Sequence, residues 1–375
     1  MSFDPNAAAG PDSGIFGLDY TPESARVVLV PVPFEATTSY GGGTSQGPAA
    51  ILRASRQVDL WDLETGKPYE AGIAMLPEPS FRPPSGRDPA TVNPVSREVN
   101  AWVQKTCADW LARGKIVGTV GGDHSISFGA IAAHAAKYPG LGVLHFDAHA
   151  DLRHAYEGFE HSHASIMDNV VRETSIERLV QVGIRDLCEE EHERIASSGG
   201  RIVTFYDAEL AEARFAGQSW AAQCGRIVAK LPKLVYVSFD IDGLDPALCP
   251  HTGTKVPGGL SFQMATSLIA AVVKSGRKLV GFDLTEVAPA QDGSEWDENV
   301  GARMLYKLDI YRGACLLDAT ANLAIPSSSC ASRSRTGRRW TSRIFVGRRK
   351  GRTSRAPRPR SLHGRNRALE SGCWR

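Results

Sequence analysis

Short runs of β-branched and aliphatic residues recur along the chain, and between them lie longer stretches whose apolar positions repeat at helical spacing. That alternation is the signature of βαβ units and a mostly parallel sheet. The runs "RVVLVPVPF" (26–34), "AGIAML" (71–76), "KIVGTV" (115–120), "GVLHFD" (142–147), "RLVQVGI" (178–184), "RIVTFY" (201–206), "KLVYVSFD" (233–240) and "KLVGFDLTEV" (278–287) predict eight strands. Helices are expected over 97–114, 127–138, 189–199 and 262–276, the last two closing on Gly, which commonly ends a helix. No repeat and no linker interrupts the pattern. One α/β domain is therefore expected from about residue 15 to 310, behind a disordered lead over 1–14.

Polar residues gather where these strands end. In "LHFDAHADLRHAY" (144–156) an apolar run is followed by Asp147, His149 and Asp151. At i, i+2 and i+4 of an extended segment the three side chains share one face. Two unpaired carboxylates buried there are costly unless protons, partners or a metal compensate. His124 follows the run at 115–120 within "GGDHS", Asp240 and Asp242 close the run at 233–240 within "DIDGLDP", and Glu286 closes the last run. Each alone reads as an ordinary turn or capping residue. Four coinciding strand ends point instead to a site, because ligands in open α/β sheets bind beyond the carboxyl ends of the strands.

His124, Asp147, His149, Asp151, Asp240 and Asp242 offer two imidazoles and four carboxylates, too many donors for one ion and suited to two divalent ones. Hard oxygen donors with few imidazoles favour Mn²⁺, although Ni²⁺, Co²⁺ or Zn²⁺ fit the same cage. Two neighbouring ions can bridge a water, lower its pKa towards neutrality and make hydroxide available as a nucleophile.

Composition narrows the class. With 42% apolar residues and 37 glycines among 375, the chain suits a soluble α/β protein. No apolar run approaches the roughly 20 residues that span a bilayer, and "MSFDPNAAAGPDSG" lacks a basic-then-apolar signal pattern, so a cytoplasmic protein is expected. The seven cysteines are scattered, with no C-x-x-C pair, which indicates neither a zinc site nor a disulfide framework. The net charge of +2 conceals an asymmetry: residues 326–375 hold 15 Lys and Arg against the single acid Glu370. This basic tail, counted from 311 to 375, has no periodicity and is expected to be disordered. Its Ser/Arg/Pro/Gly bias is that of a shifted reading frame in a GC-rich gene. A nucleic-acid-binding arm on an inactive enzyme body is a remote alternative, since the body keeps every candidate ligand.

"GGDHS", "FDAHAD", "SFDIDGLDP", "TGT" followed by "GGLS", and "LTEVAP", in that order from about Val27 to Leu308, resemble the ureohydrolase family of arginases and agmatinases. The resemblance implies a three-layer α/β/α fold around a parallel sheet of about eight strands, two Mn²⁺ per chain, and hydrolysis of a guanidino compound to urea and an amine. It also implies a homo-oligomer, a trimer or hexamer, of the kind that serves polyamine biosynthesis. Carried over by motif, one metal takes His124, Asp147, Asp151 and Asp240, and the other takes Asp147, His149, Asp240 and Asp242. Asp151 and His163 move protons, with His161 competing for the latter role. A histidine suits it because its ordinary pKa is about 6.5. Glu286 holds the guanidinium through two-point pairing, and Thr252 of "TGT" lies at the substrate.

"SYGGGTSQGPAAIL" (39–52) lacks the Lys-Ser/Thr ending of a phosphate-binding loop, and the resemblance makes it a substrate-facing loop instead. Pro250 and His251 stand where smaller residues are common in the family. "LRHAYEGFEHSH" lacks the Asn- and Ser-bearing pattern by which arginases grip the amino-acid end of arginine. Agmatine is accordingly the preferred substrate, with guanidinobutyrate, guanidinopropionate, guanidine and formimidoylglutamate as rivals within the same chemistry. A deacylase of the same superfold is excluded, because its tandem His-His base is missing.

Overall fold

The computed structural model describes residues 4–320, with side chains as far as Tyr311. Its strands are β1 (Val27–Val32), β2 (Ile73–Met75), β3 (Ile116–Gly121), β4 (Leu141–Phe146), β5 (Arg178–Ile184), β6 (Ile202–Tyr206), β7 (Leu234–Asp240) and β8 (Lys278–Thr285). Each lies within two residues of its expected bounds. All pair in parallel, in the order β2-β1-β3-β8-β7-β4-β5-β6. The six inner strands are buried almost throughout, which is why they read as unbroken apolar runs. Side-chain alternation sends Val235, Val237 and Phe239 of β7 into one apolar cluster and Tyr236 into the other.

The helices are α1 (Gly47–Ser55), α2 (Pro89–Ala112), α3 (Ser127–Lys137), α4 (Ile166–Glu173), α5 (Glu189–Ser197), α6 (Asp207–Phe215), α7 (Trp220–Val228), α8 (Phe262–Lys274) and α9 (Trp296–Thr320). α1, α7, α8 and α9 contribute to the first cluster and α2, α3 and α4 to the second, giving the three-layer α/β/α sandwich.

Helix α2 starts eight residues before the expected 97. Asp88 caps it by accepting the Thr91 amide, and Pro89 at the first helical position has a preset φ and no amide hydrogen to leave unpaired. Pro94 lies inside the helix, where it removes only one intrahelical bond near the helix start and is tolerated. Residues 4–14 form turns at Asp4–Ala7 and Gly10–Ser13, and the Arg56 guanidinium donates to the Ser13 carbonyl. α9 runs to Thr320, past the expected edge at 310, and the basic tail beyond lies outside the described residues.

Candidate metal centre

Strands β3, β8, β7 and β4 lie side by side although they are far apart along the chain. After β3 the chain crosses to β4, builds outwards through β5 and β6, and only later fills the gap with β7 and β8. This reversal of strand order opens a crevice at the carboxyl ends of the strands. His124 begins a single 3-10 turn capped by Asp123, Asp242 lies in another capped by Asp240, and His163 begins a third capped by Ser162. Glycine is required at two of the crossings. A Cβ on Gly122 would stand 1.8 Å from the Phe34 carbonyl oxygen, and one on Gly243 would stand 2.7 Å from the Asp147 nitrogen.

All six expected ligands converge on two histidine nitrogens. His124 Nδ1 lies 3.0 Å from Asp151 Oδ2, 3.2 Å from Asp147 Oδ2 and 3.4 Å from Asp240 Oδ2. His149 Nδ1 lies 3.1 Å from Asp242 Oδ2 and 3.4 Å from Asp147 Oδ1. Asp147 thus turns one oxygen to each histidine. Asp240 joins the His124 group, and its other oxygen accepts the Asp242 amide at 2.8 Å. The convergence does not come from strand alternation, as expected of 147–151. β4 ends at Phe146, and Asp151 has φ 55°, a left-handed conformation that costs a non-glycine residue roughly 1–3 kcal/mol. Glu286 shares this strain with φ 64°.

Hydrogen bonding shows what the cluster is built to hold. Ser238 donates its only hydroxyl proton to Asp283 Oδ1 at 2.9 Å, so its oxygen accepts from His124 Nε2 at 3.0 Å. The proton of a neutral His124 is then on Nε2, and the Nδ1 lone pair faces three carboxylate oxygens. That nitrogen is buried and has no aligned hydrogen-bond partner, whereas a cation between it and the oxygens satisfies all four.

Without a cation, protons do this work. Burial would lower His124, but the Asp147 and Asp151 carboxylates outweigh it and raise the imidazole well above its ordinary value. His149 is pushed up to about 12 by Asp242 and Asp147 against the effect of burial. Burial and the Asp147 charge raise Asp151 to about 8. Burial and the charges of Asp242 and Asp147 raise Asp240 well above the carboxylate range. Asp147 is the exception: burial would raise it, but three neighbouring imidazoles hold it well below.

Glu286 Oε1 accepts the His124 amide at 2.8 Å, and Thr252, expected at the substrate, donates its hydroxyl to the Glu286 carbonyl at 2.7 Å. Thr252 is thereby committed to holding Glu286. His163 lines a cavity of about 400 Å³ together with Ser39, Tyr40, His149, Asp151 and Arg153. Burial, with the His149 and His124 charges adding to it and Asp123 opposing, lowers His163 and keeps it neutral. Its competitor His161 packs on the Phe128 ring and is not among the cavity-lining residues. Ser39 and Tyr40 put the start of the glycine-rich segment at the cavity wall, where Glu35 orders the loop by accepting the Gly43 and Ser45 amides.

Two site-bordering residues escaped the sequence reading. Asp123 accepts from Ala36, Thr37 and Ser125, and His145 stands 2.8 Å from Asp147. Both sit inside the quoted motifs, so their types were visible, but an aspartate before a turn and a histidine within a strand signal nothing by themselves.

The arginase family description matches residues 25–309. The N(1)-aminopropylagmatine ureohydrolase of Thermus thermophilus is 35% identical over 295 residues, covering 78% of this chain and 92% of the relative. The agmatinase of Bacillus anthracis is 32% identical over 283 residues, covering 73% and 87%. The crystal structure of the agmatine ureohydrolase of Thermoplasma volcanium superposes with a TM-score of 0.69 at 25% identity, covering 82% of this chain and 96% of that one.

Proposed function

This chain belongs to the arginase family, and on that premise we propose that it hydrolyses agmatine to urea and an amine, with two Mn²⁺ ions at the crevice. The observation that carries this reading is the buried Nδ1 of His124 aimed at three carboxylates, beside an Asp147 that serves two histidines at once. His124, Asp147, Asp151 and Asp240 would hold one ion, and Asp147, His149, Asp240 and Asp242 would hold the other. When bound, the pair lowers the pKa of a water towards neutrality and so makes hydroxide available.

The residues of the chain do the rest. The strained turn at Glu286, fixed by Thr252 and the His124 amide, presents the carboxylate to a planar guanidinium and sets the carbon in line for attack. Asp151 takes the proton released on attack. His163, neutral and with Ser39 Oγ 3.4 Å from its Nε2, passes a proton from the cavity to the departing amine. The diamine product suits polyamine biosynthesis, and the family resemblance supports a cytoplasmic homo-oligomer.

A longer agmatine bearing an aminopropyl tail is the second reading. The names of the Thermus relatives favour it, as does a cavity that reaches the exposed carboxylate of Asp186, a partner for a distal ammonium. Urea release across agmatine, aminopropylagmatine, arginine and guanidino acids, with Mn²⁺ and Ni²⁺ compared, tests both. Equal and negligible release from all of them would overturn the assignment.

A further inference from the structure

His145 lies within ligand reach of the His124 group: its Nε2 is 2.8 Å from Asp147 Oδ2, and both residues are buried. Yet its hydrogen bonds leave no lone pair for a cation. Gln181 faces it from β5, in register, and Thr204 faces Gln181 from β6, also in register. The side-chain amide nitrogen of Gln181 is 2.7 Å from the Ala150 carbonyl oxygen, which can only accept, so that end of the amide must be the NH₂. Its oxygen then accepts the Thr204 hydroxyl at 2.9 Å, which agrees. The same NH₂ lies 3.1 Å from His145 Nδ1 and can only donate, so Nδ1 is a bare acceptor. The ring proton is therefore on Nε2 and points at Asp147 Oδ2.

We propose that His145 is a positioning residue that aims the shared carboxylate of Asp147, with its tautomer locked by Gln181 and Thr204. This rests on the metal-centre reading above. A carboxylate that serves two cations must present each oxygen in a set direction, and one fixed N–H on Oδ2 limits its rotation. Any other arrangement fails: a proton on Nδ1 would meet the Gln181 NH₂ donor to donor. The loop is tied to the same unit, because Gln181 also holds the carbonyl of Ala150, next to Asp151.

The test is Mn²⁺ titration of metal-stripped full-length protein, with bound metal counted and the electron paramagnetic resonance spectrum of the loaded pair recorded. His145→Phe keeps the ring but removes the donor. His145→Gln restores an N–H close to the Nε2 position, and Gln181→Met removes the tautomer lock. Expected are two Mn²⁺ at saturation in every variant, an affinity on the order of 10- to 100-fold weaker with an altered pair spectrum in His145→Phe and Gln181→Met, and near-native values in His145→Gln. The double variant His145→Phe/Gln181→Met should weaken binding by less than the two single changes added together, since both remove the same His145–Gln181 contact while Gln181→Met also frees the Ala150 carbonyl. Loss of a full metal equivalent in His145→Phe would make His145 a ligand and overturn the proposal. So would native affinity and spectrum in His145→Phe, even with lowered thermal stability. If His145→Phe does not fold, Gln181→Met against His145→Gln decides. Failure of the wild-type protein to take up two Mn²⁺ would instead refute the metal-centre reading.

Discussion

Replacing Glu286 by glutamine separates substrate holding from hydroxide generation. Glu286 Oε1 already accepts the His124 amide at 2.8 Å, and the glutamine oxygen can keep that bond while its NH₂ replaces the second carboxylate oxygen. Shape is preserved, but a guanidinium, which has only donors, now meets a donor and loses its counter-charge. A charge-assisted bond of this kind contributes about 1.5–3 kcal/mol. By transition-state arithmetic, kcat/KM for urea release should fall roughly 10- to 150-fold, more if the carboxylate also orients the carbon. If ground and transition states are held equally, the change should appear mainly in KM. Urea release at saturating Mn²⁺, with bound metal counted on the same sample, is the assay. Two Mn²⁺ should remain. A lost equivalent with activity restored by excess Mn²⁺ would make Glu286 a ligand, and unchanged urea release would refute its contact with the guanidinium.

Asp240→Ala should abolish turnover and remove or disorder the metal pair, because only Asp147 is left to serve both ions; two equivalents bound with native affinity would contradict the shared role. Metal uptake should release protons near pH 7, since His124, His149 and Asp151 all hold a proton in the metal-free site, the last two with pKa values of about 12 and about 8. Each cation displaces protons, so Mn²⁺ affinity must rise between about pH 6 and about pH 8, and calorimetry in buffers of different ionisation enthalpy should count the protons; a flat pH profile would refute the donor set. His163→Ala should keep both ions and lower kcat chiefly, with partial rescue by added imidazole, whereas a loss of bound metal would place His163 in the cage instead.

The strands and the chemistry at their tips were legible in the chain because both are local. A strand buried on both faces must be an apolar run wherever it sits, and the polar residues at its tip follow it directly, so Asp147, His149, Asp240 and Asp242 could be placed at strand ends without knowing a neighbour, and only their coincidence marked them as candidate ligands. Burial of α1 against the sheet and the extra turns at the start of α2 were less visible, since the glycines and prolines near them also serve as turn residues.

Which strands lie side by side was decided only in three dimensions. Pairing between β3 and β8, or β8 and β7, follows from how the crossover helices cover the two faces of the sheet, and no run of residues records its partner. The same holds for the left-handed turn at Asp151, which local preference opposes and the surrounding contacts impose, for His163 rather than His161 at the cavity, and for the register that sets His145, Gln181 and Thr204 abreast. Side-chain types and their spacing are properties of the chain. The direction of a lone pair is not, because it depends on which donors distant segments bring within about 3 Å of it.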